Sequence, residues 1–250
     1  MTVQQSPTGT GRRPDLTGQR VVVVSGTEGA GLDTARLARA AGAEVVLTGR
    51  DPDRLRRAAD EVGTPATAVL DATDPTALDR FLRELPQPVD HVVVTGERPY
   101  RAPLAEFDFA RAQRDVDEYL WLPVRVARAA VGTVRPGGTL LFVGGTAGRR
   151  RGAGLGLTGA LTAARPVLIA DLAVEVAPVR VNLIGAGYVD RPLSARLLGT
   201  TLDRHEELRA TLAIGHVVRP ADVPALAVHV MVNTALTGVT YDVDGVEQLV

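Results

Sequence analysis

The feature that most constrains the fold of this chain is the regular alternation of short β-branched runs with longer amphipathic segments. Helical patterns lie between runs that are apolar on both faces, which predicts a parallel sheet covered on each side. The predicted strands are 20–25, 44–48, 66–70, 91–95, 139–143, 179–184 and 238–243, and the predicted helices are 30–41, 52–62, 76–84, 107–131, 156–177 and 221–232. The fold class is therefore α/β, a single-domain Rossmann-like doubly wound parallel sheet of about seven strands with helices on both faces.

The same pattern indicates the domain organisation. No internal repeat, low-complexity run or linker interrupts it between residues 18 and 250. A chain of 250 residues fits one large α/β domain better than two small ones. Residues 1–17 lack the apolar core of a signal peptide and are interpreted as a flexible N-terminal tail. We expect a tail at 1–17 and one domain at 18–250.

Composition excludes several kinds of protein. The chain has no cysteine and no lysine, so it cannot use thiol catalysis, cysteine-ligated metal or a Schiff base. Its four histidines lack metal-ligand spacing, so we expect no metal. A net charge of −1 gives no electrostatic case for nucleic acid, and no apolar run reaches the roughly 18–20 residues of a membrane span. The expectation is a soluble cytoplasmic protein with a small-molecule substrate.

A glycine-rich turn, "SGTEGAG", joins the first strand to the first helix. Gly26, Gly29 and Gly31 suit a turn that presents helix N-terminal amides to a pyrophosphate, although such turns also serve simple strand-to-helix packing. Arg50 stands near the position where an NAD site shows an acidic residue. It is either a partner for a 2′-phosphate, which favours NADP, or a solvated residue opening the second helix. Glu28 either repels phosphate or neutralises Arg50 through an ion pair.

Several stretches carry a family resemblance: "DLTGQRVVVVSGTEGAG", "VLDATD", "VDHVVVTGERP", "LAVEVAPVRVNLIGAGYVDRPL", "RPADVPALAVHVM" and "TGVTYDVDG". Together they resemble the short-chain dehydrogenase/reductase family over residues 18–250. Ser25 replaces the first glycine of the family's turn, and the aspartate that meets adenine maps to Asp71. The resemblance implies NADP(H) as the cofactor. The residues it implies for cofactor binding are Ser25, Gly26, Gly29, Gly31, Arg50, Asp71 and Val189.

In the family that this chain resembles, the active site uses asparagine, serine, tyrosine and lysine. All four positions are changed in this chain. Counting back from Leu172 puts the lysine position at Thr162 and the tyrosine position at Thr158. The serine position falls on Gly145, and the asparagine position on Tyr119. A phenol with a pKa near ~10 needs a nearby cation to exchange protons at neutral pH, and threonine neither titrates there nor carries charge. The resemblance with these changes disfavours alcohol–ketone hydride transfer.

Other polar groups near the implied pocket suggest different chemistry. Tyr188, Glu97 and Tyr119 are candidates for acid–base catalysis, and the arginines at 149–151 could recruit an anionic substrate. Tyr119 on a helix is equally explained by packing. The favoured hypothesis is a non-redox enzyme of secondary metabolism that cyclises, dehydrates or isomerises a small carbonyl or polycyclic metabolite. The alternatives are an NADP(H)-dependent oxidoreductase with a non-standard proton donor, and a non-catalytic binding or assembly partner.

Two further expectations concern the long helices. The helices at 107–131 and 156–177 are apolar over more than one face, and in the resembling family they form the subunit interface. We therefore expect a homo-tetramer or homo-dimer. Thr158 and Thr162 are four residues apart, so they should share one helix face, toward the former nicotinamide site. That arrangement predicts a wider and less charged pocket than that of a working reductase.

Overall fold

A parallel sheet forms the middle layer of the protein. The computed structural model describes residues 14–86, 88–96, 100–146, 152–187, 189 and 212–245. Seven strands lie in the order β3-β2-β1-β4-β5-β6-β7, and every pairing is parallel. The strands are β1 Arg20–Val24, β2 Glu44–Gly49, β3 Thr67–Val69, β4 Val89–Thr95, β5 Val134–Gly145, β6 Arg180–Ala186 and β7 Thr240–Val243. The predicted doubly wound α/β fold is confirmed.

Helices cover both faces of this sheet. They are α1 Gly29–Ala40, α2 Pro52–Val62, α3 Pro75–Glu84, α4 Phe109–Val116, α5 Leu122–Ala130, α6 Gly156–Glu175 and α7 Asp222–Val232. Local sequence explains where two of them begin. Asp51 and Asp74 each accept hydrogen bonds from the first-turn backbone N–H groups of α2 and α3, and each is followed by a proline. An acidic N-cap followed by proline at the first helical position is a favoured helix start.

The helix predicted at 107–131 is divided by a π-helical turn. Asp117–Trp121 forms this turn between α4 and α5, and the Leu122 N–H donates to the Asp117 carbonyl. Pro123 has no N–H, so it cannot form the usual helical bond to the Tyr119 carbonyl four residues earlier. The proline thus accounts for the local widening. Tyr119 lies inside this turn, and such turns often occur at functional sites.

The alternation of side chains along the central strands divides the core into two layers. Val22 and Val24 pack on one face with Leu140 and Phe142, under α3, α5 and α6. Val21 and Val23 pack on the other face with apolar side chains of α1, α2 and α7. Each strand of the middle of the sheet is therefore buried on both sides, as its continuous apolar run predicts.

The start of the folded domain lies within the segment interpreted as a tail. Residues 1–13 of that segment are outside the described residues. Leu16 is fully buried, and its backbone N–H donates to the Ala41 carbonyl at 2.8 Å. Leu16 is therefore part of the folded domain, because its apolar side chain completes the core layer beside α1.

Helix α6 is the one helix, within the part of the chain that the structure describes, that is long and apolar enough to cross a membrane by length and composition. The expectation concerned a continuous apolar run, and one helix of this composition is not a clear membrane span. The helix packs against β6 with Leu161, Ile169 and Leu172 buried. A core helix of a globular domain meets the same criterion. Arg165 interrupts the apolar sequence, which is why no continuous run was evident.

His91 on β4 makes the stability of the domain dependent on pH. Its Nε2 lies 2.7 Å from Gln19 Oε1, and burial, with the nearby charges of Arg180 and Arg135, lowers the pKa of His91 from 6.5 to about 3. The unfolded chain therefore binds a proton that the folded chain does not, so this stability is complete above pH 6.5 and is lost as the pH falls toward 3. We expect the free energy of unfolding to fall by about 1 kcal/mol between pH 6.5 and 5.5 from this group, because the unfolded histidine is already half protonated at pH 6.5.

Urea unfolding of the wild type and of His91→Gln across this pH range tests the expectation. The variant keeps a side chain that can bond Gln19 but does not titrate. Its free energy of unfolding should therefore decline less steeply with acid than that of the wild type. Parallel curves for the two proteins would contradict the role assigned to His91.

Candidate functional site

The glycine-rich turn is tightly packed at the carboxyl end of β1. Ser25 has φ 60°, the one positive φ of a non-glycine residue among those the structure describes, and Gly29 has the same φ. This left-handed region favours glycine, so Ser25 occupies a position where a glycine would be expected. A Cβ on Gly31 would lie 2.8 Å from Thr95 Oγ1 and 3.1 Å from the Gly26 Cα. The absence of a side chain on Gly31 therefore allows the turn to pack closely, in addition to leaving its amides accessible.

Two features next to this turn bear on nucleotide binding. Glu28 is the N-cap residue of α1, and its exposed side chain makes no cap hydrogen bond, which leaves the first-turn amides without a side-chain cap. No ion pair between Glu28 and Arg50 occurs within the described parts of the chain. Arg50 Nη1 instead lies 4.0 Å from Glu118 Oε1 in the π turn. Of the two alternatives for Glu28, the ion pair with Arg50 is therefore not formed within the described chain, and Arg50 lies beside a carboxylate from a distant segment instead.

Asp71 lies beside the same arginine, just beyond β3. Its Oδ1 accepts hydrogen bonds from the Thr73 N–H at 3.0 Å and the Thr73 hydroxyl at 2.7 Å. Partial burial opposes ionisation, but these hydrogen bonds and the charge of Arg50 together lower the pKa of the Asp71 carboxyl. The structure therefore brings Arg50, Asp71 and Glu118 to one edge of the sheet, where the sequence placed only the first two.

Thr158 and Thr162 lie on the buried face of α6. They are 1% and 6% exposed, whereas Ala160, Ala163 and Ala164 between and beside them are exposed. The expectation that the two threonines share a face is confirmed. The Thr158 hydroxyl donates to the Tyr100 carbonyl at 3.2 Å, so it ties α6 to the segment that follows β4.

Arg165 continues this buried face one turn further along α6. Its side chain is 8% exposed, and its guanidinium carbon lies 5.1 Å from the centre of the Tyr119 ring. A Cβ on Gly144 would overlap the Arg165 Nη1, so the glycine leaves the space that the guanidinium fills. Arg165 was not among the site residues predicted from the sequence. The signal was available, because Arg165 is the one charged residue between 156 and 170.

A small cavity adjoins Arg165 at the carboxyl ends of β4 and β5. Its volume is about 10 Å³, and it is lined by Gly96, Glu118, Tyr119 and Arg165 together with apolar side chains such as Phe142. This is about the space of one water molecule. Neither Thr158 nor Thr162 lines this cavity, so the expectation of a wider and less charged pocket beside the two threonines stays a prediction.

Tyr119 is held as a neutral phenol in this cavity. The side chain is 5% exposed. Burial raises the pKa of Tyr119 well above its ordinary value, while the charge of Arg165 opposes that rise. At neutral pH the group can donate a hydrogen bond but cannot act as a base.

The other predicted site residues are placed as follows. Gly145 is exposed at the end of β5, where it pairs with Ala186. Val189 forms an isolated parallel bridge with Val218. Glu97, Tyr188 and the arginines at 149–151 lie outside the described residues. The part of the chain that is described contains no group of three or more His, Cys, Asp or Glu side chains that could hold a metal ion.

Comparison with known proteins identifies a matching family and several similar proteins. A family model for enoyl-(acyl carrier protein) reductase matches residues 24–245. A short-chain dehydrogenase/reductase of Stachybotrys chlorohalonatus is 23% identical over 251 residues, which cover 93% of this chain and 98% of that protein. The short-chain dehydrogenase/reductase malC of Malbranchea aurantiaca is 25% identical over 242 residues, 89% of this chain and 92% of that protein.

Solved structures agree with these sequence relationships. The MalC reductase/Diels-Alderase of Malbranchea aurantiaca has a TM-score of 0.85 at 25% identity, covering 93% of this chain and 97% of its own. A Beutenbergia cavernae protein with NADP bound at low occupancy has a TM-score of 0.81 at 25% identity, covering 94% and 98%. Because the family match spans nearly the whole described domain, this chain belongs to the short-chain dehydrogenase/reductase family.

Proposed function

We propose that this protein is a non-redox enzyme of secondary metabolism, which cyclises, dehydrates or isomerises a small carbonyl or polycyclic metabolite. The observation that carries the proposal is the buried pair Thr158 and Thr162 on α6, which stand where counting back from Leu172 puts the family's tyrosine and lysine. The Thr158 hydroxyl is bonded to the Tyr100 carbonyl. A threonine hydroxyl does not titrate near neutral pH, so this pair cannot supply the usual proton relay.

The relationship to MalC supports chemistry other than hydride transfer. That structure is described as both a reductase and a Diels-Alderase, and this chain covers 97% of it. A Diels–Alder reaction forms a ring without moving a hydride. A scaffold of this shape is therefore compatible with ring formation. The acid–base groups proposed here are Tyr188 and Glu97, together with Tyr119, whose neutral phenol can serve only as a donor.

A screen of small carbonyl and polycyclic compounds, with and without NADPH or NADP, tests the proposal. We expect turnover in the absence of any nicotinamide. Mass spectrometry of the product should show the substrate mass unchanged after cyclisation or isomerisation, or lower by one water after dehydration. A product heavier by two hydrogens, formed only when NADPH is added, would overturn the proposal in favour of the alternative below. Absence of both turnover and substrate binding would favour a binding or assembly role.

The second candidate function is an NADP(H)-dependent oxidoreductase with a non-standard proton donor. It is favoured by the uncapped amides of α1 and by Arg50 at the end of β2. The residues that would hold the nucleotide are Ser25, Gly26, Gly29, Gly31, Arg50, Asp71 and Val189. When bound, the cofactor would supply a hydride to a carbonyl carbon. Members of this family typically bind NAD(P), and one structural neighbour holds NADP.

Cofactor preference tests this second candidate. Arg50→Ala should weaken NADP binding by about tenfold and leave NAD binding unchanged, because the arginine would bond only the 2′-phosphate. Glu28→Ser should tighten NADP binding, because it removes a negative charge from the phosphate turn. Titration calorimetry with both nucleotides measures these changes. Tight NAD binding that is insensitive to Arg50 would contradict the assignment.

We also propose that the protein assembles as a homo-dimer or homo-tetramer through α6 and the π turn. Val167 and Val174 on α6 are 65% and 77% exposed, and Trp121 is 51% exposed. Large apolar side chains grouped on helices mark an association surface. Light scattering at micromolar concentration should give a mass at least twice that of one chain. The double change Val167→Asp and Val174→Asp should give the monomer mass.

The matched control for this surface is Val69→Asp. Val69 is 61% exposed on β3, at the other edge of the sheet. This variant should keep the wild-type assembly. A monomeric wild type would refute the proposal.

A further inference from the structure

Arg165 is a buried cation for which the described residues provide no anionic partner. Its side chain is 8% exposed, its Nε has no hydrogen-bond partner, and no carboxylate of the described chain lies within ion-pair distance. Its contact is the ring of Tyr119. Arginine stays protonated in proteins, so this charge cannot be relieved by losing a proton.

Arg180 shows how the same domain accommodates a structural arginine. Arg180 is also buried, at 5% exposed. All three of its guanidinium nitrogens act as donors. Of the six hydrogen bonds that they form, five go to backbone carbonyls and one goes to the Thr139 hydroxyl. A buried charge is otherwise very unfavourable, so an arginine left without such acceptors indicates a ligand that provides the negative charge.

The cavity next to Arg165 limits what that ligand can place there. Its volume of about 10 Å³ admits one oxygen atom rather than a whole carboxylate or phosphate. Gly96 lines it and is exposed, and a Cβ on Gly96 would meet nothing within 4 Å, so the cavity borders open space at this residue. Glu118 also lines the cavity, but its Oε1 lies 4.0 Å from Arg50 Nη1, which offsets its negative charge.

We propose that Arg165 and Tyr119 form a binding site for a single anionic oxygen, the enolate or phenolate oxygen of the substrate. The guanidinium supplies the positive charge, and the ring of Tyr119 packs against it beside the cavity. Gly144 is part of this site, because only a residue without a side chain leaves room for the guanidinium. The inference rests on the proposed function for the carbonyl class of the substrate. Donors preorganised around a developing oxyanion are among the largest contributors to enzymatic rate.

The direct test is binding of p-nitrophenol, measured by the absorbance of its anion at a pH below the phenol's own pKa. The wild type should bind the compound as phenolate. Arg165→Met should weaken that binding at least about tenfold, because a hydrogen bond to a charged group is lost. Arg165→Lys should retain part of it. Arg128→Met removes an exposed arginine on α5, whose side chain is 70% exposed, and should bind like the wild type.

Thermal unfolding without ligand separates this role from a structural one. Arg165→Met should melt at a temperature equal to or above that of the wild type, because an unpaired buried charge is replaced by an apolar side chain of similar length. A structural arginine would show the reverse. Failure of the wild type to bind phenolate, equal binding by Arg165→Met, or a lower melting temperature of that variant would each overturn the inference.

The binding measurement needs neither turnover nor a nicotinamide. Phenolate binding that depends on Arg165, in a protein that only reduces its substrate with NADPH, would support the oxyanion site and overturn the proposed non-redox function. Cofactor-free turnover that is unchanged in Arg165→Met would do the opposite.

Discussion

Arg180→Met should lower the free energy of unfolding by about 3 kcal/mol or more, because several buried acceptors would lose their hydrogen bonds at roughly 1–3 kcal/mol each. Arg180 lies at the start of β6 and is 5% exposed. Its guanidinium joins the last turn of α7 and the segment after it to the edge of β5. The acceptors are the carbonyls of Gly137, Val230, Met231, Asn233 and Leu236 and the hydroxyl of Thr139.

The size of this effect follows from the carbonyls that the substitution leaves behind. The last carbonyls of a helix have no partner within the helix, and Arg180 satisfies those of α7 from outside. Methionine would fill similar space but donate nothing, so buried acceptors would lose their hydrogen bonds. Urea unfolding followed by circular dichroism measures the change. Arg180→Lys should recover part of the loss, and a change below about 1 kcal/mol for Arg180→Met would contradict the explanation.

The second large effect concerns activity. Tyr188→Phe or Glu97→Gln should reduce kcat/KM about a hundredfold or more, the usual effect of losing an acid–base group. Thr158→Val and Thr162→Val should each stay within about tenfold of the wild type, or ~1.4 kcal/mol. The reason is that a threonine hydroxyl cannot replace a phenol–cation relay, and that of Thr158 is already bonded to the Tyr100 carbonyl.

All four variants are measured against the substrate that the screen identifies. Thermal unfolding of Thr158→Val is the control, because that change also removes a buried hydrogen bond and should cost about 1 kcal/mol of stability. Loss of activity in either threonine variant, with Tyr188→Phe and Glu97→Gln unaffected, would mean that the threonines are themselves the catalytic pair.

The candidate site was only partly predictable. The glycine turn, Arg50 and Asp71 were recognisable because each directly follows a strand, and parallel strands bring their carboxyl ends to one edge of a sheet. The Arg50–Glu118 contact was not, because it joins β2 to a π turn that is distant in the chain. The π turn itself arises where Pro123 removes one N–H from an otherwise regular helical pattern.

The sequence by itself determined the order and type of the elements and the faces that they bury, because hydrophobic periodicity, caps and turns act over a few residues. It therefore specified the seven-stranded sheet and the shared face of Thr158 and Thr162. Only the tertiary structure decided which charges have partners. Arg165 and Arg180 are both single arginines in apolar segments. Arg180 donates to carbonyls of α7, whereas Arg165 lies against a tyrosine ring beside a cavity. The two differ because the groups that surround each arginine come from segments far apart in the chain.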